Sequence, residues 1–223
     1  MKPSLPTVVA MAAVAIALPV AAQADHRPGH QGGGGGGATL TIAAAPNPTV
    51  FGSTTVISGR LKGPNNGGAT VTLRRDEFPY GTEVKDVATV KTDAQGNYAF
   101  TQRPARNTSY QAVVGTTVSD GVLVSVRIRI GLRASDATPR VGQLVTFRGR
   151  ACPRHDGLVV GIQRQTSTGT YRTVRRTRLR AGATCSVYSR AFRVLRDGTF
   201  RAITDDADHG RGVSPARFIN VHR

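Results

Sequence analysis

The densest potential chemistry in this 223-residue chain is a strip of arginines, RTVRRTRLR, at positions 172–180. In extended backbone alternate side chains share a face, so Arg172, Arg176, Arg178 and Arg180 are expected to line up, neighbours about 6.6 Å apart. Guanidinium forks hold phosphate and sulfate oxygens in pairs. The row therefore suits a linear polyanion: teichoic acid, lipopolysaccharide phosphates, a sulfated glycan or nucleic acid. Arg164, Arg190, Arg193 and Arg196 would add to the field if neighbouring strands bring them alongside. The competing use is a solvated sheet face that blunts edge pairing and keeps the chain in solution. Specific nucleic-acid binding is not expected, because no recognised motif is present and the aromatics are not interleaved for base stacking.

The other reactive groups are sparse. The run DDADHG at 205–210 gathers three carboxylates and His209. Its spacing misses the calcium-loop pattern, and zinc would need more ligands than it offers, so a solvated loop or a partner for nearby arginines is expected and no metal site. His26 and His30 lie on a Gly-rich stretch. His155 and Asp156 follow Cys152, but neither a GxSxG elbow nor an HExxH helix occurs. The glycines at 32–37 follow no strand and open no helix, so they are not a phosphate loop. No catalytic residue, no cofactor and no enzyme activity are expected. Asn107 heads an N-x-S/T sequon, read as incidental.

The targeting signals set the compartment. Met1–Lys2, an apolar run from Val8 to Val20 and a small-x-small site ending at Ala24 describe a secretory signal peptide. The run is shorter than the roughly 20 residues of a spanning helix, so no transmembrane segment is expected in the mature protein. Nor is a lipid or sortase anchor. In an exported chain an even cysteine count favours a bridge, and Cys152 and Cys185 are expected to form one. Closing that loop is worth about 3–4 kcal/mol.

Net charge is +17 and unevenly placed. Residues 25–127 hold 10 Lys and Arg against 7 Asp and Glu, whereas 128–223 hold 19 Arg, no Lys and 6 Asp. The second half is where an anionic partner would be held.

The elements that must position these groups read as strands. From Val122 to Ala134 every even position is apolar while Ser125, Arg127, Arg129 and Arg133 are polar, the period of a half-buried strand. Its length suggests two strands in series, with a handover at Ser125 or Gly131. The halves also repeat at an offset of 90. GSTTVISGR at 52–60 falls on GQLVTFRGR at 142–150, and Tyr110 falls on Phe200, each opening a late strand as a corner aromatic does. Between these anchors Ala99-Phe100 aligns with Ala191-Phe192 after a two-residue slip. Strands are expected near 39–44, 54–61, 69–75, 84–91, 97–102, 109–114 and 119–127. In the second copy they fall near 128–134, 143–151, 158–165, 171–180, 186–194, 199–204 and 213–221. Seven short strands in about 90 residues, with turns every 8–12, are the signature of an antiparallel sandwich.

The stretches TVISGRLKG, GATVTLRR, ATVKTDAQGNYAFTQRP and TSYQAVV resemble the bacterial Ig-like and carboxypeptidase-regulatory-like β-sandwich modules of secreted surface proteins. VTFRGRACP, VVGIQRQ, YRTVRRTRLR, CSVYSRAFRV and DGTFRAI are similar to the Arg-rich Ig-like repeats of exported actinobacterial proteins. The resemblance covers most of 38–223. It implies fold and an extracellular setting, and hardly any activity.

The expected architecture is all-β: two tandem antiparallel Ig-like β-sandwiches, 38–127 and 128–223, after a signal peptide at 1–24 and a Gly-rich flexible arm at 25–37. The expected function is non-catalytic, a secreted or cell-surface-associated binding or spacer protein held to anionic cell-envelope polymers by its second half. The alternative is a soluble extracellular ligand-binding or inhibitor-like protein working through loops 76–84 or 205–212.

Overall fold

A computed structural model describes residues 37–223. The expected signal peptide, 1–24, and all of the Gly-rich arm except Gly37 lie outside the described residues. Among the described residues every regular element is a β-strand, so the fold is all-β, as the alternation requires.

The first half builds two sheets. In one, Thr55–Lys62 is flanked by Asn97–Gln102 on one side and by Thr39–Leu40 and Ala43–Ala45 on the other. In the other the order is Val122–Val124, Thr108–Val114, Thr70–Glu77, Lys85–Lys91. Ile57, Leu61 and Phe100 from the first face Val71, Leu73 and Tyr110 from the second across one core. The second half repeats the plan. Leu144–Cys152 pairs with Ser186–Arg193 on one side and with Arg129–Ile130 and Arg133–Ala134 on the other. The facing sheet runs Tyr171–Arg178, Val159–Gln165, Gly198–Thr204, Gly212–Val213, with Arg217–Ile219 also on Gly198–Thr204. Its core packs Phe147, Tyr188 and Ile130 against Ile162, Phe200 and Ile219.

The alternating stretch links the two cores. Val124, Val126, Ile128, Ile130 and Leu132 are all buried. Val124 belongs to the first cluster and Ile128 to the second. The stretch is four short strands rather than two, because its partner changes twice and its last part pairs in two separate pieces. Val122–Val124 pairs antiparallel with Thr108–Val114, Val126–Arg127 runs parallel to Thr49–Val50, and the remainder joins Leu144–Cys152.

The repeat holds more strictly than the alignment suggested. Gly59 faces Tyr98 in the first half and Gly149 faces Tyr188 in the second, so the offset of 90 runs through this strand without the two-residue slip. The Tyr98 hydroxyl donates to the Thr41 carbonyl at 2.5 Å and the Tyr188 hydroxyl to the Gly131 carbonyl at 2.7 Å. A Cβ at Gly59 or Gly149 would overlap that same carbonyl oxygen and the tyrosine hydroxyl. Tyr110 and Phe200 are core residues, 1% and 2% exposed; the tyrosine-to-carbonyl bonds of this fold are made by Tyr98 and Tyr188.

Candidate polyanion-binding groove

The expected single row of Arg172, Arg176, Arg178 and Arg180 does not form. A β-bulge shifts the register between Ile162 and Gln163: Ile162 lies opposite Arg175, while Gln163 lies opposite Thr173. Val174 is the extra residue. One inserted residue reverses every side chain beyond it. Arg176 and Arg178 therefore share a face with Val159 and Gly161, whereas Arg172 sits opposite Arg164 on the other face. Arg172 lines a depression with Arg164 and Arg196, where the Arg164 guanidinium donates to the Asp197 carbonyl. Arg180 leaves the sheet altogether. It exchanges both backbone hydrogen bonds with Val187, at 2.8 and 2.9 Å, and so joins the edge of the opposite sheet.

That opposite sheet carries the real concentration of charge. On Leu144–Cys152, Val145, Phe147 and Ala151 point into the core and Arg148 and Arg150 point out. Arg133 lies directly across from Arg148, Arg129 across from Cys152, and Arg150 across from Val187, which in turn faces Arg180. With Arg217 these residues line a groove of about 1090 Å³ that runs past Cys152 and Cys185. Gly149 and Tyr188 also line it. Among the described residues none of the six arginines has a carboxylate within 4.0 Å, while Arg74, Arg75, Arg154 and Arg211 do. Arg150 instead donates to the Thr184 hydroxyl at 3.1 Å and Arg217 to the Leu132 carbonyl at 3.4 Å. Like charges directly opposite on paired strands are destabilising, so the facing Arg133 and Arg148 are a cost that an anion between them would remove.

Five of these six lay outside the expected strip. Arg129 and Arg133 were legible as the wet face of the alternating stretch, and Arg148 and Arg150 as the polar positions of FRGR. Bringing them together required knowing that 129–134 pairs with 144–152.

Cys152 and Cys185 form a disulfide, Cα atoms 4.7 Å apart across 33 residues of chain. Both cysteines line the groove, and the bridge ties down the segment that returns Arg180 to the sheet. Other arginines are used structurally. Arg175 covers the Phe192 ring at 5.3 Å, and Arg201 lies over Tyr171 at 3.8 Å; cation–π contacts of this kind hold a side chain without any ligand.

The acidic run partners a nearby arginine at Asp205, one of the two uses expected of it, and its remainder is built into the junction of the two halves rather than solvated. His209 is buried, its Nδ1 2.7 Å from Asp208 and its Nε2 2.8 Å from the Ala105 carbonyl of the first half. Asn107 closes the same junction: its N–H donates to the Asp208 carbonyl, its amide to Ala207, and its Oδ1 accepts from the Val126 N–H at 2.8 Å. Both ends of the sequon side chain are thus engaged. Asp205 pairs with Arg211 at 2.7 Å, which raises the arginine further above its ordinary range. Asp156 accepts from Ser186 at 2.6 Å and from Arg154 at 2.7 Å, and these bonds hold its carboxyl below the usual range.

Among the described residues no helix is long and apolar enough to cross a membrane. No family model matches the chain, and no curated protein matches it in sequence. Among solved structures, the polymeric Ig receptor ectodomain of a teleost fish is similar at a TM-score of 0.37 and 12% identity, over 82% of this chain and 97% of that one.

Proposed function

We propose that this is an exported, non-catalytic binding and spacer protein. Its two tandem Ig-like sandwiches, 38–127 and 128–223, are held to an anionic envelope polymer by the arginine groove of the second. The observation that carries the reading is six arginines converging on one groove without a paired carboxylate among the described residues. A disulfide beside that groove fits an oxidising compartment, as does the expected signal peptide. The groove's Arg133 and Arg148 face each other across paired strands, so successive phosphates or sulfates of a linear chain would each meet a guanidinium fork. Of the loops considered for a soluble partner, 205–212 is occupied by the junction. The 76–84 turn remains open, with Tyr80 exposed and packed edge-on against Phe78.

The test is binding to washed Gram-positive envelopes and to linear polyphosphate across a salt series. Wild-type protein should bind at low salt and be released by about 0.5 M NaCl, where the screening length is only about 4 Å. The Arg148→Glu/Arg150→Glu pair should weaken binding by about tenfold or more, equivalent to about 1.4 kcal/mol. The Arg176→Glu/Arg178→Glu pair carries the same charge change on another face and should weaken it far less. Equal loss in both would reduce the effect to bulk charge, and no binding at low salt would end the proposal.

A further inference from the structure

We infer that His155, Asp208 and His209 form a zinc site at the junction of the two halves. One ligand atom from each lies within 4.8 Å of the others. Sequence spacing left Asp208 and His209 short of ligands; the turn after Cys152 supplies the missing one, held in place by the His155 N–H donating to Ser186 at 2.8 Å.

Each imidazole has one nitrogen already anchored on an oxygen. His155 Nδ1 is 2.8 Å from Asp206 Oδ2, and His209 Nε2 is 2.8 Å from the Ala105 carbonyl. Histidines that ligate metals make this kind of bond with the far nitrogen, which fixes the tautomer and aims the near lone pair. The remaining nitrogens are His155 Nε2 and His209 Nδ1. His155 Nε2 is buried and has no hydrogen-bond partner, on a side chain only 10% exposed. His209 Nδ1 meets Asp208 Oδ1 at 2.7 Å on a side chain 2% exposed. The two rings meet edge to face, centroids 4.8 Å apart.

Tetrahedral zinc with bonds of about 2.0–2.1 Å needs its ligand atoms about 3.3 Å apart. The contact between His209 and Asp208 would open by roughly half an ångström, the metal replacing the proton now shared there, and that proton would leave to solvent. Two imidazole nitrogens and a carboxylate select zinc over calcium or magnesium, which take oxygen ligands. Water would take the fourth position, and Asp206 stays behind His155 as its orienting partner. Because the same loop carries the bonds to Ala105 and Asn107, zinc would fasten the junction.

Zinc is titrated into the full chain carrying His26→Gln and His30→Gln, which removes the histidines of the N-terminal arm. Calorimetry is expected to show one equivalent bound, with cobalt giving the visible spectrum of a tetrahedral site and calcium and magnesium giving no competing binding. His155→Gln and Asp208→Asn should each lower zinc affinity by about tenfold or more. Imidazole proton resonances of His155 and His209, but not His222, should move within the first equivalent, a readout that needs no further variant. Absence of saturable one-equivalent binding, zinc-induced shifts confined to His222, or parental affinity in both variants would overturn the assignment.

Discussion

A glycine, a tyrosine and a carbonyl oxygen recur 90 residues apart and fix where the chain at Thr41 and Gly131 passes Thr55–Lys62 and Leu144–Cys152. Gly59 leaves room for the Thr41 carbonyl to reach the Tyr98 hydroxyl, and Gly149 does the same for Gly131 and Tyr188. Adding a methyl group would force backbone apart, so Gly59→Ala and Gly149→Ala should each cost about 1–3 kcal/mol or more in denaturant unfolding. Removing only the hydroxyl, as in Tyr98→Phe or Tyr188→Phe, should cost about 1 kcal/mol each, the usual net worth of such a bond. Equal losses from the glycine and tyrosine changes would mean that shape is not what the glycines serve. The same burial has a pH signature. It raises Tyr98 and Tyr110 to about 12 and pushes Tyr188 in the same direction, whereas an unfolded tyrosine ionises near about 10. The folded chain keeps protons that the unfolded chain gives up. That stability is whole below about pH 10 and is lost as pH climbs toward 12. Phenolate absorbance should therefore lag in these three tyrosines until the far-ultraviolet dichroism collapses. Ionisation of all five tyrosines near pH 10 with the dichroism unchanged would refute it.

At the scale of elements, alternation was a sound guide to burial and a poor guide to partnership. The even positions from Val124 to Leu132 are the buried ones, as period two requires, yet which strand each segment joins depends on residues 12 to 77 positions away. The bulge at Val174 had a faint trace in the sequence. Val174 and Leu179 are five apart, an odd spacing that strict alternation does not allow, and Arg175-Arg176 places two polar residues side by side. Read as one unbroken strand, the strip put Arg172 and Arg176 on one face; the bulge puts them on opposite faces. The groove was illegible in the sequence for the converse reason. Its arginines lie on four separate strands and, for Arg180, on an isolated bridge, and only pairing makes them neighbours. The disulfide is the element-level clamp on that arrangement. Replacing it, as Cys152→Ser/Cys185→Ser, should lower stability by about 3–4 kcal/mol for a loop of this length. It should also weaken polyphosphate binding, since Arg180 and Thr184 lie on the segment it ties down. Unfolding free energy and the binding isotherm are measured on the same preparation. A loss of stability with binding untouched would separate the bridge from the groove.

Across the whole described chain the two cores are separate clusters joined by one covalent crossing and one noncovalent junction. The crossing alone would let each core unfold by itself. The junction opposes that: Gly210 bonds Val126 and Ile128 through its N–H and carbonyl, Asn107 reaches both Val126 and the 205–212 loop, and His209 reaches Ala105. Little of this was visible beforehand, because Asn107 read as a sequon, the acidic run as a solvated loop or an arginine partner, and His155 as a residue after Cys152 with no catalytic motif around it. Each makes sense only where segments 50 to 100 residues apart converge. Asn107 links the halves through its side chain, whose amide donates to the Ala207 carbonyl of the second half while its Oδ1 accepts from the Val126 N–H of the first. Asn107→Ala leaves that donor unmatched, at a cost of about 1–3 kcal/mol, and removes the side chain's bond to Ala207, which loosens the loop's hold on the first half. Calorimetric melting of the parent should give a single transition. The variant should give two, one for each core, with the second half losing more because its 205–212 loop loses its seat. Two transitions already present in the parent would show that the junction is too weak to couple the cores. A single, merely shifted transition in Asn107→Ala would place the coupling in the His209 contacts instead.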